Sequence, residues 1–188
     1  MKWIGDRISF VDTKQKLTIV ITPEQNFWNR AFMGAWLAMW LAIGGIMIWS
    51  FTLKLTDQEK IIVAGFLSFW AYYAFRVGRQ FFWLLWGKEM LKIDVDGFTR
   101  KNAIKGYGKS TNYFLENIKT LRMDMPKERS LQAVWEASPW IGGGERLSFD
   151  YTGKTIRFGK KINEKDAKIL FQLVTRRIED FLKERRRS

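Results

Sequence analysis

Residues Arg146–Ala167 read RLSFDYTGKTIRFGKKINEKDA. Two runs of alternating apolar and polar residues, RLSFDY and KTIRFG, flank Thr152-Gly153, a pair suited to a two-residue hairpin turn. Asn163 can then cap a helix, with Asp166 at the third helical position as in a capping box. Ala167, Leu170, Val174, Ile178 and Phe181, joined by Leu173 and Leu182, follow at helical spacing. That helix has one apolar face to bury, so the hairpin must belong to a sheet that covers it. The basic KERRRS end suits a helix C-terminus.

Working back from the hairpin, five more strand-like runs precede it: EMLKIDV, FTRKNAI, STNYFL, IKTLRMDM and LQAVWEA. Asp96-Gly97 suits a tight turn, Gly106 and Gly108 mark the next break, and SPWIGGGE forms a longer loop. Seven antiparallel strands followed by one amphipathic helix match the order of a pleckstrin-homology (PH) fold. The expectation is a seven-stranded PH-like barrel over residues 88–188, closed by the C-terminal helix. Upstream, Ile8 and Phe10 alternate with polar residues, as do Leu17, Ile19 and Ile21, with Asp12–Gln15 as a turn. Residues 1–30 are therefore expected to hold a β-hairpin arm, stopped by Pro23, that packs on the β-rich domain or on a partner.

Two segments between these regions set the protein class. Ala31–Leu53 is uncharged, and at about 1.5 Å per residue it reaches roughly 34 Å, enough to cross a bilayer. Residues 61–87 form a second apolar segment, uncharged until Arg76 and Arg79. The short loop 54–60 predicts an antiparallel helix hairpin. That loop holds Lys54 and Lys60 against Asp57 and Glu59, whereas the flanks hold Arg30, Arg76, Arg79 and Lys88. The bias predicts a two-pass membrane protein with both termini cytoplasmic. Arg76 and Arg79 allow two readings. Either the span ends near Arg76, leaving Trp83 and Trp86 as interfacial anchors, or the arginines face a partner inside the bilayer. Gly34, Ala38 and Ala42 recur at four-residue spacing and would let another helix approach closely.

The 188-residue chain has neither cysteine nor histidine and a formal charge of +13. Thiol chemistry, the commonest general base and the commonest metal ligand are thus absent. No catalytic, metal or cofactor set is expected, and the chain reads as a non-enzyme. Asp94 and Asp96 are read as turn formers rather than a catalytic pair. IGGGE lacks the lysine and spacing of a phosphate loop. Lys88–Ser188 carries 23 Lys/Arg against 14 Asp/Glu. Arg100, Lys101, Lys105 and Lys109 could contact anionic lipid or simply form a solvated basic face. No recognition motif supports a nucleic-acid partner. Trp140 and Ile141, between a proline and three glycines, are candidates for docking on a partner or the membrane, or for folding back onto the barrel.

NFW before the first apolar segment, WGKEML after the second, NIKTLRM in mid-domain and LSFDYTGKTIRFGKKINEKDA near the end together resemble a family of small bacterial two-span membrane proteins with a C-terminal PH-like domain. The architecture is also distantly similar to the two-span photosystem I assembly factor. The resemblance implies a membrane-tethered interaction domain. The expected function is therefore a non-catalytic accessory or assembly subunit of an integral membrane protein complex, with an anionic-lipid tether or sensor as the alternative.

Overall fold

The computed structural model describes residues 1–24, 26–126, 130, 131, 134, 136, 138, 140 and 142–185. The chain forms two compact units. One is β-rich and combines Met1–Glu24 with Trp86–Ser188; the other is helical and spans Gln25–Leu85.

In the β-rich unit six strands form one antiparallel sheet in chain order: β1 (Lys2–Ile4), β2 (Ile8–Asp12), β3 (Lys16–Ile21), β4 (Gly87–Asp94), β5 (Gly97–Ile104) and β6 (Ser110–Tyr113). A 3-10 turn at Leu115–Asn117 leads to a second sheet of β7 (Ile118–Met123), β8 (Glu145–Tyr151) and β9 (Lys154–Lys160), followed by helix α3 (Glu164–Arg185). The expected closed barrel of seven strands is therefore corrected to two open sheets, with nine strands among the described residues. Two differences account for the change. The N-terminal arm is part of the large sheet, because β3 pairs with β4 from Lys16↔Asp94 to Ile21↔Glu89. And LQAVWEA is not a strand: its described residues Leu131, Val134 and Glu136 are helical, while 132, 133, 135 and 137 lie outside the described residues.

Side-chain alternation explains the strands. Leu17, Ile19 and Ile21 of β3 and Leu91 and Ile93 of β4 are buried, as period two requires of a half-covered sheet. Phe98, Phe149 and Phe158 meet across the two sheets with ring centroids 5.1–6.0 Å apart. All five residues of the expected α3 stripe are buried in this core, with Leu173 and Leu182 packed at its margin. The cap is also as expected: the Asp166 amide donates to Asn163 Oδ1 at 2.7 Å, and Asn163 Nδ2 donates to Asp166 Oδ2 at 2.9 Å.

The turn before β5 lies one residue earlier than expected. Asp94 stands opposite Gly97, so Val95 and Asp96 make the turn. Asp94 Oδ1 accepts the amides of Asp96 at 3.2 Å and Gly97 at 3.1 Å, and its other oxygen meets Lys92 Nζ at 2.5 Å. These contacts make Asp94 a turn former.

The helical unit holds α1 (Phe27–Ser50) and α2, which runs unbroken from Asp57 to Trp86. Both are long and apolar enough to cross a membrane. Asn26 caps α1 by accepting the amides of Trp28 and Asn29. Thr56 and Glu59 form a reciprocal capping box on α2, so α2 begins ahead of the apolar run that revealed it. The antiparallel seam buries Met33, Leu37, Gly44, Val77 and Leu84. Gly34 lies on this seam, opposite Phe81, while Ala38 and Ala42 are exposed. Gly44 was not anticipated, yet a Cβ there would collide with the Trp70 ring. Trp70 Nε1 donates to the Trp40 carbonyl at 2.7 Å and Trp40 Nε1 to the Trp70 carbonyl at 3.1 Å, so each indole is satisfied by the other helix.

In the β8–β9 turn Thr152 has φ +45° and Gly153 φ +80°, the geometry of a type I′ hairpin. A β-branched residue is disfavoured in that left-handed region, whereas asparagine tolerates it. Thr152→Asn is expected to stabilise the β-rich unit by about 1 kcal/mol in denaturant unfolding of the purified protein.

Candidate functional site

Strand register defines one end of the large sheet. Ile4 lies opposite Ile8, Ile8 opposite Ile21, Ile21 opposite Glu89 and Glu89 opposite Asn102. Beyond this row lie the β1–β2 turn, the segment Thr22–Glu24 that leaves toward α1, the return of the chain at Gly87, and the β5–β6 turn. The opposite end carries the β2–β3 turn and the Val95-Asp96 turn. Among the described residues, the first end carries the polar contacts of Glu89 and Arg7.

Glu89 is the centre of these contacts. It occupies an inward position of β4, in register with Leu91 and Ile93, and is fully buried. One carboxylate oxygen accepts Arg100 Nε at 2.8 Å; the other accepts the backbone amides of Gly159 and Lys160 at 3.0 Å each. Gly159 has φ +77°, which helps direct two consecutive amides at one oxygen. Arg100 reaches on to Glu145 at 3.7 Å. Glu89 and Arg100 together therefore join β4 and β5 of the large sheet to β8 and β9 of the small one.

Arg7 makes a second junction. Its guanidinium donates to the carbonyls of Thr22 (2.9 Å), Lys161 (2.5 Å) and Lys160 (3.3 Å), while the Thr22 hydroxyl donates to the Arg7 carbonyl at 3.1 Å. Burial lowers the Arg7 pKa from its ordinary value, opposed by the Glu24 and Asp166 carboxylates. Lys161 is lowered by burial as well, against Glu24, with Arg7, Lys160 and Arg146 adding to the decrease. Its ammonium donates to the Ser138 carbonyl at 2.5 Å. Gly5, at φ +56°, lies so close to the Asp166 carboxylate that a Cβ would collide with it.

Between these groups is a polar cavity of about 470 Å³ lined by Asp6, Arg7, Glu24, Glu136, Arg146 and Lys161, with the α3 cap at its floor. Its charges are mixed, and its three cations are engaged: Arg7 with carbonyls, Lys161 with Ser138, Arg146 with Glu136. The arrangement holds four chain segments together and leaves Asp6 and Glu24 exposed at the rim.

The residues expected to form sites are dispersed. Arg100 is turned to Glu89 and Glu145, and its side chain is largely covered. Lys101 is half-buried on β5. Lys105 and Lys109 are exposed in and after the β5–β6 turn, where Lys105 Nζ lies 4.0 Å above the Trp86 ring and Tyr107 is 86% exposed. Trp140 is 36% exposed, its amide directed to Ser138 Oγ at 3.4 Å; Ile141 lies outside the described residues. Trp83 is half-buried on α2, while Arg76 and Arg79 are exposed, with Arg76 donating to the Tyr72 hydroxyl at 2.8 Å.

Glu89, Arg7 and Lys161 were not anticipated. Glu89 had a signal: a carboxylate in step with Leu91 and Ile93 on the buried face needs a cation, and Arg100 is in step with Phe98 on the next strand. Arg7 had none, because its partners are backbone carbonyls distant in sequence.

No family model matches the chain, and no curated protein matches it either.

Replacing Glu89 leaves Arg100 without its carboxylate and two amides without an acceptor. Glu89→Ala is expected to cost about 3–5 kcal/mol in unfolding and to speed amide exchange at Gly159 and Lys160. Glu116→Ala, at an exposed ion pair with Arg185, is the control and should leave both unchanged.

Proposed function

We propose that this chain is a non-catalytic accessory or assembly subunit of a bacterial inner-membrane protein complex, with the β-rich unit serving as its interaction domain. The observation that carries the reading is that the helix hairpin is inserted between two adjacent strands, β3 and β4, of one sheet. Two crossings return the chain to the membrane face from which it left. The β-rich unit, with both termini, then lies on one side, and the Lys/Arg bias makes that side cytoplasmic. Covalent attachment through two neighbouring strands tethers the unit to the membrane, where it can grip the cytoplasmic face of a partner.

Two further features support the reading. The buried Glu89 and the half-buried Arg7, Arg100 and Arg146 are each engaged in joining segments of the fold. Large apolar residues are exposed along both helices, among them Phe27, Trp28, Ile62 and Phe75, and require lipid or protein cover.

The anionic-lipid alternative draws on a different observation. The β5–β6 turn, with Lys105, Tyr107 and Lys109, lies at the same end of the sheet as the segments leading to α1 and from α2. Two cations around an exposed aromatic suit an anionic headgroup layer.

Purification of the full tagged chain from its native membrane in mild detergent tests the first reading. A stoichiometric membrane-protein partner is expected, and a monodisperse chain alone overturns it. For the lipid reading, amide exchange at residues 104–109 of the reconstituted chain should slow as anionic lipid content rises and recover in salt. Exchange that ignores both overturns that reading.

A further inference from the structure

The partner-facing chemistry of the membrane segment can be narrowed by the position of Arg76. Gly34 of α1 lies opposite Phe81 of α2, and Gly44 opposite Trp70. Interpolating along this antiparallel seam puts Arg76 level with about residue 38 of α1. The only charged residue of α1 is Arg30, about eight residues or roughly 12 Å below that level along the helix. The span between Trp28 and Trp49, both exposed near the ends of α1, is about 32 Å, close to the roughly 30 Å hydrocarbon thickness. With those indoles at the two interfaces, Arg76 lies near mid-membrane and Arg79 about one turn nearer the cytoplasm.

Both arginines are exposed on α2, away from the buried seam of Val77 and Leu84. Arg76 follows the lean of helical side chains toward the N-terminus, which here is away from the cytoplasmic interface, and there it reaches the Tyr72 hydroxyl. That direction opposes snorkelling to the cytoplasmic headgroup phosphates. A phenol hydroxyl occupies one guanidinium donor but leaves the charge uncompensated. The helical unit supplies no counter-charge: the only acids of α1 and α2 are Asp57 and Glu59, in the first turn of α2, about 25 Å away along the helix from Arg76.

We infer that the Tyr72–Arg76–Arg79 face of α2 packs against a transmembrane helix of a different protein that presents an Asp or Glu carboxylate at the depth of Arg76. Charge complementarity selects this occupant. A second copy of this chain enters the membrane in the same orientation and brings another arginine, not a carboxylate, to that level. A carboxylate pairing with the guanidinium fork would be largely shielded from water and correspondingly specific. The inference rests on the accessory-subunit reading and names the chemistry of the partner it requires.

Phe69, two turns before Arg76 and exposed on the same side of α2, is the position for a photoreactive p-benzoyl-phenylalanine in the full chain in its native membrane. Ala42, exposed on α1, carries the same probe as control. From position 69 a single membrane-protein adduct is expected, its cross-linked peptide lying in a transmembrane segment that contains Asp or Glu. Arg76→Leu should reduce the adduct at least tenfold, with Arg76→Lys retaining part of it. Where Arg76→Leu fails to accumulate, the pair Arg76→Glu with the partner's carboxylate changed to Arg should restore the adduct that Arg76→Glu alone loses. Adducts to lipid alone, adducts to a second copy, a peptide without a carboxylate, or an adduct indifferent to position 76 each overturn the inference. A partner captured only from position 42 overturns it while sparing the accessory-subunit reading; no partner from either position removes both.

Discussion

The β-rich unit depends on one buried carboxylate. Two open sheets packed face to face through Phe98, Phe149 and Phe158 have no backbone ladder between them; the dispersion and burial that hold them are non-directional. Glu89 supplies direction. By accepting Arg100 from its own sheet and two amides from β9, it fixes where the small sheet meets the large one. Burying a charge is unfavourable unless its hydrogen-bonding capacity is filled, and both oxygens of this one are occupied. The clamp therefore tolerates few alternatives: a sheet displaced by one residue would leave the carboxylate facing apolar side chains.

The second junction, at Arg7, has a different origin. Thr22 is the first residue after β3, and its carbonyl has no strand partner. Lys160 ends β9 and Lys161 follows it, where the chain turns into α3. Carbonyls at such ends need donors if they are not to be buried unsatisfied, and one guanidinium serves three of them. The β1–β2 turn, which carries Arg7, is thereby tied to both the segment leading to α1 and the start of α3. Asp166 completes the arrangement by holding the Asn163 cap of α3 while packing against Gly5, so the β1–β2 turn and the start of α3 share one corner.

How much of this was legible in the sequence follows from the range of each interaction. The β8–β9 hairpin, the α3 stripe and its cap involve neighbours within a few residues, and all three are where local pattern placed them. Thr56 and Glu59 were equally local, but the apolar run drew the helix boundary inward. The β3–β4 pairing was out of reach because its partners are separated by the helical unit; period-two alternation identified both strands without saying that they pair. LQAVWEA alternates no better than it repeats at helical spacing, and short apolar runs of that kind do not separate strand from helix. Gly44 escaped notice because a four-residue small stripe beginning at Gly34 was more conspicuous. The actual seam is set by what Trp70 needs, namely space for its ring and a carbonyl for its N–H.

The inserted hairpin also bears on how the sheet can close. β3 and β4 are joined by about 65 residues, and a flexible link of that length would cost about 4 kcal/mol of closure entropy at (3/2)RT ln n. Here the link is two antiparallel helices held by reciprocal indole–carbonyl bonds and by Phe81 against Gly34. The seam brings the start of α1 and the end of α2 side by side, which shortens the link that the two strands must close. Within the β-rich unit the register of β3 on β4 is fixed by six consecutive pairs, the last of which sets Ile21 opposite the Glu89 clamp.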